Sequence, residues 1–318
     1  MKMKRIFAAI NVGLIVMLLA ACGTLRSKPL PTLVPAGAPP TTGTQFYFVT
    51  NRLLLPATQA HKQEFALNID GDTQKRTDNL FGELLTLLTS TAQGLEMQTN
   101  LDQVINTGQL VSLHMLLADD LANDPSVAWT IFQGQKSTSA PNFNGSDKFT
   151  VDSTAPTNLP IIGTLTNGHF TGGPGSARVQ IYLLGVPVEV NLIGIRLEAD
   201  VSATGCTNGK LGGGMTVDEF RAKLLPAIAD GLNAVINSDQ VVSPPLIKAF
   251  DSDQNGTITV QELENHPLLR IAVSPDLDLL DASGAFNPGQ DGVKDSYSIG
   301  LGFTCVPAVF STGTVLVP

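Results

Sequence analysis

The sequence lacks the short motifs that mark common catalytic sites. It contains no GxSxG, HExxH, CxxC or SxxK pattern, and its glycine-rich stretch at residues 172–176 does not have the GxxxxGKS/T spacing of a phosphate-binding loop. The histidines are scattered along the chain, at His61, His114, His169 and His266. Any catalytic site would therefore need side chains that only folding brings together.

Basic residues are also scarce. The 318 residues include 19 Lys and Arg against 28 Asp and Glu, which gives a formal net charge of −9, and no basic stripe offsets this locally. A surface of that sign repels phosphate backbones, so the sequence argues against nucleic acid as a partner. The same acid excess favours bound cations, because a cation lowers the repulsion between neighbouring carboxylates.

The N-terminus has the layout of a bacterial secretory signal. Residues 1–21 contain three basic residues, then an apolar run from Ile6 to Leu19, and no acidic residue. The apolar run is too short for a comfortable transmembrane helix. We therefore expect this segment to be removed on export.

The signal ends in Leu19-Ala20-Ala21-Cys22, which resembles the lipobox of bacterial lipoproteins. The resemblance implies that Cys22 is acylated on sulfur and becomes the new N-terminus, so that a lipid anchors the protein to a membrane. Gly23 in the next position implies transfer to the outer membrane. The alternative is an ordinary signal peptide followed by a chance cysteine.

The two remaining cysteines are Cys206 and Cys305. An even number of cysteines outside the cytoplasm predicts one disulfide, and two buried free thiols are the alternative. Residues 22–45 are rich in Pro, Thr, Gly and Ala, a composition that predicts a flexible tether.

Residues 251–262, DSDQNGTITVQE, place oxygen-bearing side chains at the spacing that a calcium ion requires. Ca²⁺ takes about six to eight oxygen ligands, and a single short loop supplies them from alternate positions and from its last residue. Gly256 stands where the chain must turn sharply, and Ile258 is the apolar residue that follows. The ligand positions hold Asp251, Asp253, Asn255, the backbone carbonyl of Thr257, Thr259 and Glu262.

This pattern resembles the EF-hand calcium loop. The resemblance implies a helix that enters through residues 244–250 and a helix that leaves through residues 261–269. A polar turn between two helices is the alternative. EF-hand loops are usually paired, and the sequence has no second full loop, so we expect either a strand at residues 271–274 or the disulfide to brace this one.

A second acidic stretch resembles the start of such a loop. Asn68, Asp70 and Asp72 alternate like its first three ligands, and Asp78 follows. The pattern then departs, because Thr73 replaces the glycine and the last position holds an asparagine. Two readings stay open: a second metal site, or a polar turn in which Asp78 caps the next helix.

The hydrophobic patterns predict an α+β fold class with antiparallel, sandwich-like β-sheets, packed helices and one C-terminal EF-hand helix-loop-helix. Residues 206–214 are predicted to be a flexible link, and His114 to be a packed core histidine. The predicted division is a signal at 1–21, a tether at 22–45, an N-terminal α+β domain at 46–135, a loop or linker at 136–159, and a β-rich domain at 160–318 with the EF-hand inserted at 216–269.

The whole layout, with an acidic turn at residues 70–72, the calcium loop and a glycine-spaced final strand, is similar to uncharacterised secreted EF-hand-containing proteins of predatory and soil deltaproteobacteria. That similarity implies no activity. Our first hypothesis is an outer-membrane lipoprotein whose Ca²⁺ is structural for a surface domain that binds a protein or glycan. The second is a calcium-dependent extracellular hydrolase that acts on envelope or prey polysaccharide with two acids in a concave pocket. Without a catalytic motif, the first hypothesis is favoured.

Overall fold

A computed structural model of the chain describes residues 39–72, 77–91, 96–237, 250–272 and 274–310. Its strands form one closed antiparallel barrel in which each strand pairs with its neighbours in sequence and the last pairs with the first. The strands are β1 (Thr44–Leu54), β2 (Ser112–Ala118), β3 (Asn123–Gln133), β4 (Ile161–Thr166), β5 (His169–Leu183), β6 (Val186–Ser202), β7 (Gly205–Thr216) and β8 (Ser296–Pro307).

Short helices lie in the connections between β1 and β2 and between β7 and β8. They are α1 (Gln59–Glu64), α2 (Leu80–Thr91), α3 (Met97–Asn106), α4 (Val217–Glu219), α5 (Leu225–Ile236), α6 (Val260–Asn265) and α7 (Pro267–Ala272), with a π-helical turn at Phe220–Leu224. Within the described residues, no helix is long and apolar enough to cross a membrane. The predicted signal, Cys22 and the tether as far as residue 38 lie outside the described residues.

The sheet-rich α+β class is confirmed, but the sandwich arrangement is wrong. A sandwich needs two sheets, whereas here the β1–β8 pairing joins both edges of a single sheet into a ring. Strands from residues 46–135 and from residues 160–318 share that ring. The predicted linker at 136–159 therefore falls between two paired strands, β3 and β4, rather than between separate folded units.

Aromatic rings fill part of the barrel interior. Trp129 on β3 lies 6.2 Å from Phe303 on β8 and 5.0 Å from Phe170 on β5, measured between ring centroids. Because β3 is a neighbour of neither β5 nor β8, these rings meet across the inside of the ring. An eight-stranded barrel has an interior of about the width that side chains can fill.

A second apolar cluster lies on strands β1, β2 and β3, on the face that points away from the barrel interior. Val49, Leu113 and Phe132 point there, and Phe149 and Phe310 cover them. The predicted linker contributes Phe149, which is 9% exposed. This segment is therefore a cover packed on the barrel, held by backbone hydrogen bonds to residues near the C-terminus.

The segment predicted as a flexible link, residues 206–214, is instead most of β7. Its glycines allow close packing rather than flexibility. A Cβ on Gly214 would lie 2.2 Å from the Leu279 side chain, and one on Gly212 would lie 3.2 Å from that of Leu67. The predicted disulfide is confirmed, because β7 pairs with β8 and places Cys206 directly opposite Cys305.

His114 is the core histidine that the sequence predicts. It is 3% exposed and stacks on Phe303 at 5.4 Å between ring centroids. Trp129 donates from Nε1 to His114 Nδ1 at 3.1 Å, so Nδ1 carries no proton. The proton is on Nε2, which donates to Thr50 Oγ1 at 2.7 Å. Burial lowers the pKa of His114 to about 3, and the ring is neutral in the folded protein.

This lowered pKa predicts an acid-sensitive stability. The unfolded chain binds a proton at His114 below its ordinary pKa of 6.5, whereas the folded chain does so only near about 3. The contribution of the neutral ring is therefore fully present above pH 6.5 and is lost as pH falls below it. His114→Gln should flatten the dependence of unfolding free energy on pH by up to about 1.4 kcal/mol per pH unit in this window.

Urea unfolding between about pH 5 and 7, followed by the fluorescence of Trp129, measures this slope. Trp129 is the single tryptophan of the chain. His61→Gln is the control, because it removes an imidazole that is only half-buried in α1. Equal slopes in the unmodified chain and in His114→Gln would contradict the prediction.

Candidate metal centre

The predicted calcium loop lies between Phe250 and α6. Phe250 is fully buried, and its ring lies 4.5 Å from that of His266 just beyond α6, so the two ends of the segment are held together. Thr259 is the N-cap of α6: its hydroxyl accepts a hydrogen bond from the Glu262 N–H, and the Glu262 carboxylate accepts one from the Thr259 N–H. This capping box fixes where the loop ends.

Three carboxylates meet inside this segment. One oxygen from each of Asp251, Asp253 and Glu262 lies within 4.8 Å of the others. Within the described part of the chain, no Lys, Arg or His forms an ion pair with any of the three. Like charges at this spacing repel one another, and a cation between them would relieve the repulsion.

Backbone N–H groups shape the turn. Asp251 accepts hydrogen bonds from the N–H groups of Asn255 and Gly256 at 3.0 and 2.8 Å, and the Asn255 carboxamide accepts one from Thr257 at 2.8 Å. Gly256 has a φ of +85°, where a side chain would be strained. The sequence-predicted ligands Asp251, Asp253, Asn255, Thr257, Thr259 and Glu262 therefore lie in one compact loop.

Glu262 is the last of these residues, and hydrogen bonds strongly perturb its carboxyl group. The pKa of its carboxyl is lowered to about 2, first by the backbone N–H of Thr259, then by the Thr259 hydroxyl, with weaker contributions from Ser252 and Asp253. The carboxylate is thus charged at neutral pH. The role of Ser252 is not visible in the ligand spacing, because it stands between two ligand positions.

The loop is braced by an asparagine side chain, and the predicted strand brace is wrong. Asn233 of α5 donates from Nδ2 to the Ile258 carbonyl at 2.8 Å, and its Oδ1 accepts a hydrogen bond from the Ile258 N–H at 2.7 Å. Residues 271–272, where we expected a strand, end helix α7. Ile258 itself is 1% exposed and packs in the main core.

The acids of the second acidic stretch do not gather in the same way. Asn68 accepts a hydrogen bond from the Gly71 N–H, and Asp70 accepts one from Asp72 and lies 3.4 Å from the Lys294 ammonium. Asp78 is 1% exposed and accepts a hydrogen bond from the Ile69 N–H. In the described ranges, the group of three acids close enough for a metal is the one at Asp251, Asp253 and Glu262.

The same stretch shows which residue caps α2. The Asn79 carboxamide oxygen, and not Asp78, accepts a hydrogen bond from the Gly82 N–H at the start of the helix, at 3.2 Å. Asn79 also bonds both the N–H and the carbonyl of Gly300 on β8, at 3.0 and 3.2 Å. The expectation that Asp78 caps the helix is therefore wrong.

Comparison of the chain with protein-family models, with curated proteins and with solved structures gives no match in any of the three. The acidic loop is therefore characterised by its own geometry and by the oxygen atoms that it offers.

The Asn233 brace predicts a measurable loss of stability. Replacing Asn233 with Leu would leave the N–H and the carbonyl of Ile258 without these partners, at a cost of about 1–3 kcal/mol in unfolding free energy. The measurement is urea unfolding in EGTA. Asn237→Leu is the control, because Asn237 is exposed at the end of the same helix and should change stability by less than about 0.5 kcal/mol. Equal effects of the two substitutions would show that the brace is unimportant.

Proposed function

We propose that this chain is a calcium-binding lipoprotein of the outer membrane, in which an EF-hand-type loop holds a structural Ca²⁺ ion. The observation that carries the proposal is the meeting of Asp251, Asp253 and Glu262, whose oxygens lie within 4.8 Å of one another in a loop turned by Gly256. This geometry can hold a metal ion, and the choice of calcium follows from the donors.

The donor set is entirely oxygen. Carboxylates, the Asn255 carboxamide and the Thr257 carbonyl are hard ligands, which suit Ca²⁺ or Mg²⁺ better than Zn²⁺ or Cu²⁺. Mg²⁺ demands near-ideal octahedral geometry and keeps several waters, whereas Ca²⁺ accepts a larger and less regular set of protein oxygens. A loop with several candidate protein donors in a row therefore favours Ca²⁺.

The proposed location in the cell envelope depends on two features. The residues ending in Cys22 have the lipobox pattern, and the Cys206–Cys305 disulfide is of a kind that persists outside the cytoplasm. Export and lipid anchoring would place the calcium loop where Ca²⁺ is abundant. We therefore expect weak binding, with a Kd on the order of 10⁻⁵ to 10⁻³ M.

The proposed role of the ion is to order the segment that connects β7 to β8. The loop contacts α5 through Asn233 and buries Ile258 in the main core, so a bound ion would stabilise the packing of this region against the barrel. The exposed surfaces nearby would then be presented to a protein or glycan partner outside the cell.

The hydrolase hypothesis has less support. A glycosidase needs two carboxyl groups that face one another across a cleft. Three clefts in the described residues, with volumes of about 650, 350 and 270 Å³, are each lined by one acidic side chain, namely Glu198, Asp147 and Glu264. These clefts therefore favour a binding function over a hydrolytic one.

The calcium proposal predicts stabilisation by mass action. Ca²⁺ at about a hundredfold excess over Kd should raise the unfolding free energy by about 2.7 kcal/mol relative to EGTA. Glu262→Gln should abolish most of this shift, because it removes a charged ligand from the end of the loop. Thermal melting in EGTA and in added CaCl₂ measures both, and isothermal titration gives the Kd.

Glu264→Gln is the matched control. Glu264 lies on the same helix, pairs with Arg221 at 3.3 Å and is outside the loop, so this variant should keep the full calcium shift. An unmodified chain whose melting does not change at roughly 10 mM CaCl₂ would refute the proposal. An equal shift in Glu262→Gln would place the ion elsewhere.

Lipid anchoring predicts acylation at one residue. In a Gram-negative host fed labelled palmitate, the unmodified chain should carry the label in the membrane fraction, and Cys22→Ser should carry none. Thr24→Ser, two residues beyond the cysteine, should stay labelled. Label retained in Cys22→Ser would show that the resemblance to a lipobox is misleading.

A further inference from the structure

A cleft of about 650 Å³ lies on the outer face of the barrel, and none of the residues that line it belongs to the acidic loop at residues 251–262. Thr171 and Glu198 are cross-strand partners on β5 and β6, and the next pair, Phe170 and Ala199, is fully buried. Because side chains alternate along a strand, Thr171 and Glu198 point outward into the cleft. Its other polar lining residues are Asn68, Ser126, Thr164 and Arg196.

Arg196 is an unusual residue for such a surface. It is half-buried, and desolvation lowers the pKa of its guanidinium. Its Nε atom is buried without a hydrogen-bond partner, and the described residues offer the guanidinium neither a hydrogen bond nor an ion pair. A desolvated cation without a partner is costly, and an anionic ligand would remove that cost.

The backbone beside Arg196 is irregular on both sides. The β5–β6 register shifts at Gly172 to Ser176, and the β6–β7 register shifts between Ile193 and Arg196. Gly173 has a φ of +113°, and a Cβ there would lie 2.1 Å from the Ile195 carbonyl oxygen. Bulges of this kind re-aim side chains and are enriched next to binding sites.

We propose that this cleft binds a small sugar acid, with the carboxylate of the ligand on Arg196. A guanidinium pairs with a planar carboxylate through two parallel hydrogen bonds. Glu198 accepts hydrogen bonds from ligand hydroxyls, and the hydroxyls of Thr164 and Thr171 donate or accept. The apolar side chains of Leu67 and Ile162, which also line the cleft, contact the C–H face of the ring.

Charge argues for a mono-anion of this class. The cleft contains one cation and one carboxylate, and the whole chain has a formal charge of −9, so a polyanion would be repelled. The volume is within the roughly 300–1,000 Å³ range of small-molecule sites. A monosaccharide acid has few atoms, so we expect a Kd on the order of 1 mM.

The test is titration of the full-length protein with D-glucuronate, followed by ¹H–¹⁵N NMR. EGTA is present because sugar acids also bind Ca²⁺, and a repeat in CaCl₂ separates this site from the calcium loop. We expect shifts at Thr164, Thr171 and Arg196, and affinity at least tenfold weaker for D-glucose, which has no carboxylate. Arg196→Gln should weaken glucuronate binding by tenfold or more.

Arg52→Gln is the matched control, because it removes the same charge from a half-exposed arginine on β1 that pairs with Asp102, and it should leave binding unchanged. If Arg196→Gln does not fold, Arg196→Lys is a second variant, which should also weaken binding because it keeps the charge but loses the paired hydrogen bonds of the guanidinium. The proposal is overturned if glucuronate shifts no cleft resonance at roughly 20 mM. It is also overturned if glucose or inorganic phosphate binds as well as glucuronate.

Discussion

The pairing of β1 with β8 is the constraint on which the rest of the structure depends. It joins the edges of the sheet, so that no strand of the barrel presents a free edge along its whole length. The helices then lie in two long connections between strands, one between β1 and β2 and the other between β7 and β8. Each connection begins and ends on strands that the ring already holds in place.

The connection between β7 and β8 contains the acidic loop. It leaves β7 after Thr216 and returns at Ser296, and these two residues pair with each other. Farther along the same two strands, the Cys206–Cys305 disulfide fixes them covalently. A cation in the loop would thus act on a segment whose ends are already together, so its binding energy need not offset the entropy of closing the chain. The expected effect of Ca²⁺ is local ordering rather than folding of the whole barrel.

In each of these two connections, an asparagine side chain forms hydrogen bonds with the N–H and the carbonyl of one backbone residue. Asn79 bonds the N–H and carbonyl of Gly300 on the part of β8 that lies beyond its pairing with β1, and Asn233 does so for Ile258 in the loop. A carboxamide has the donor and the acceptor of a peptide group, so it can stand in for a missing strand. Buried backbone groups need such partners, and so does a loop that has no second loop beside it in the described part of the chain.

Local hydrophobic patterns predicted the sheet-rich fold class, because an apolar run such as that of β2 and an alternating stretch such as that in β6 each lie within a single strand. Spacing likewise predicted the cluster of acids at Asp251, Asp253 and Glu262, because these candidate ligands are close together in sequence. Barrel closure, the strand at residues 206–214 and the Asn233 brace were missed for a common reason: each depends on residues far apart in sequence. Three glycines in a row at residues 212–214 are compatible with flexibility or with close packing, and the side chains that face them, among them Leu67, Ile195 and Leu279, decide for close packing.

The β5–β6 hairpin connects the surroundings of the two proposed sites. At its turn, Leu184 packs so closely on α5 that a Cβ on Gly231 would lie 2.3 Å from it, and α5 carries Asn233. Toward its other end lie Arg196 and the outer cleft. Coupling between two sites requires an element with two alternative arrangements, whereas the strands of this hairpin are hydrogen-bonded along most of their length within a closed ring. We therefore expect metal binding in the loop and ligand binding in the cleft to be independent.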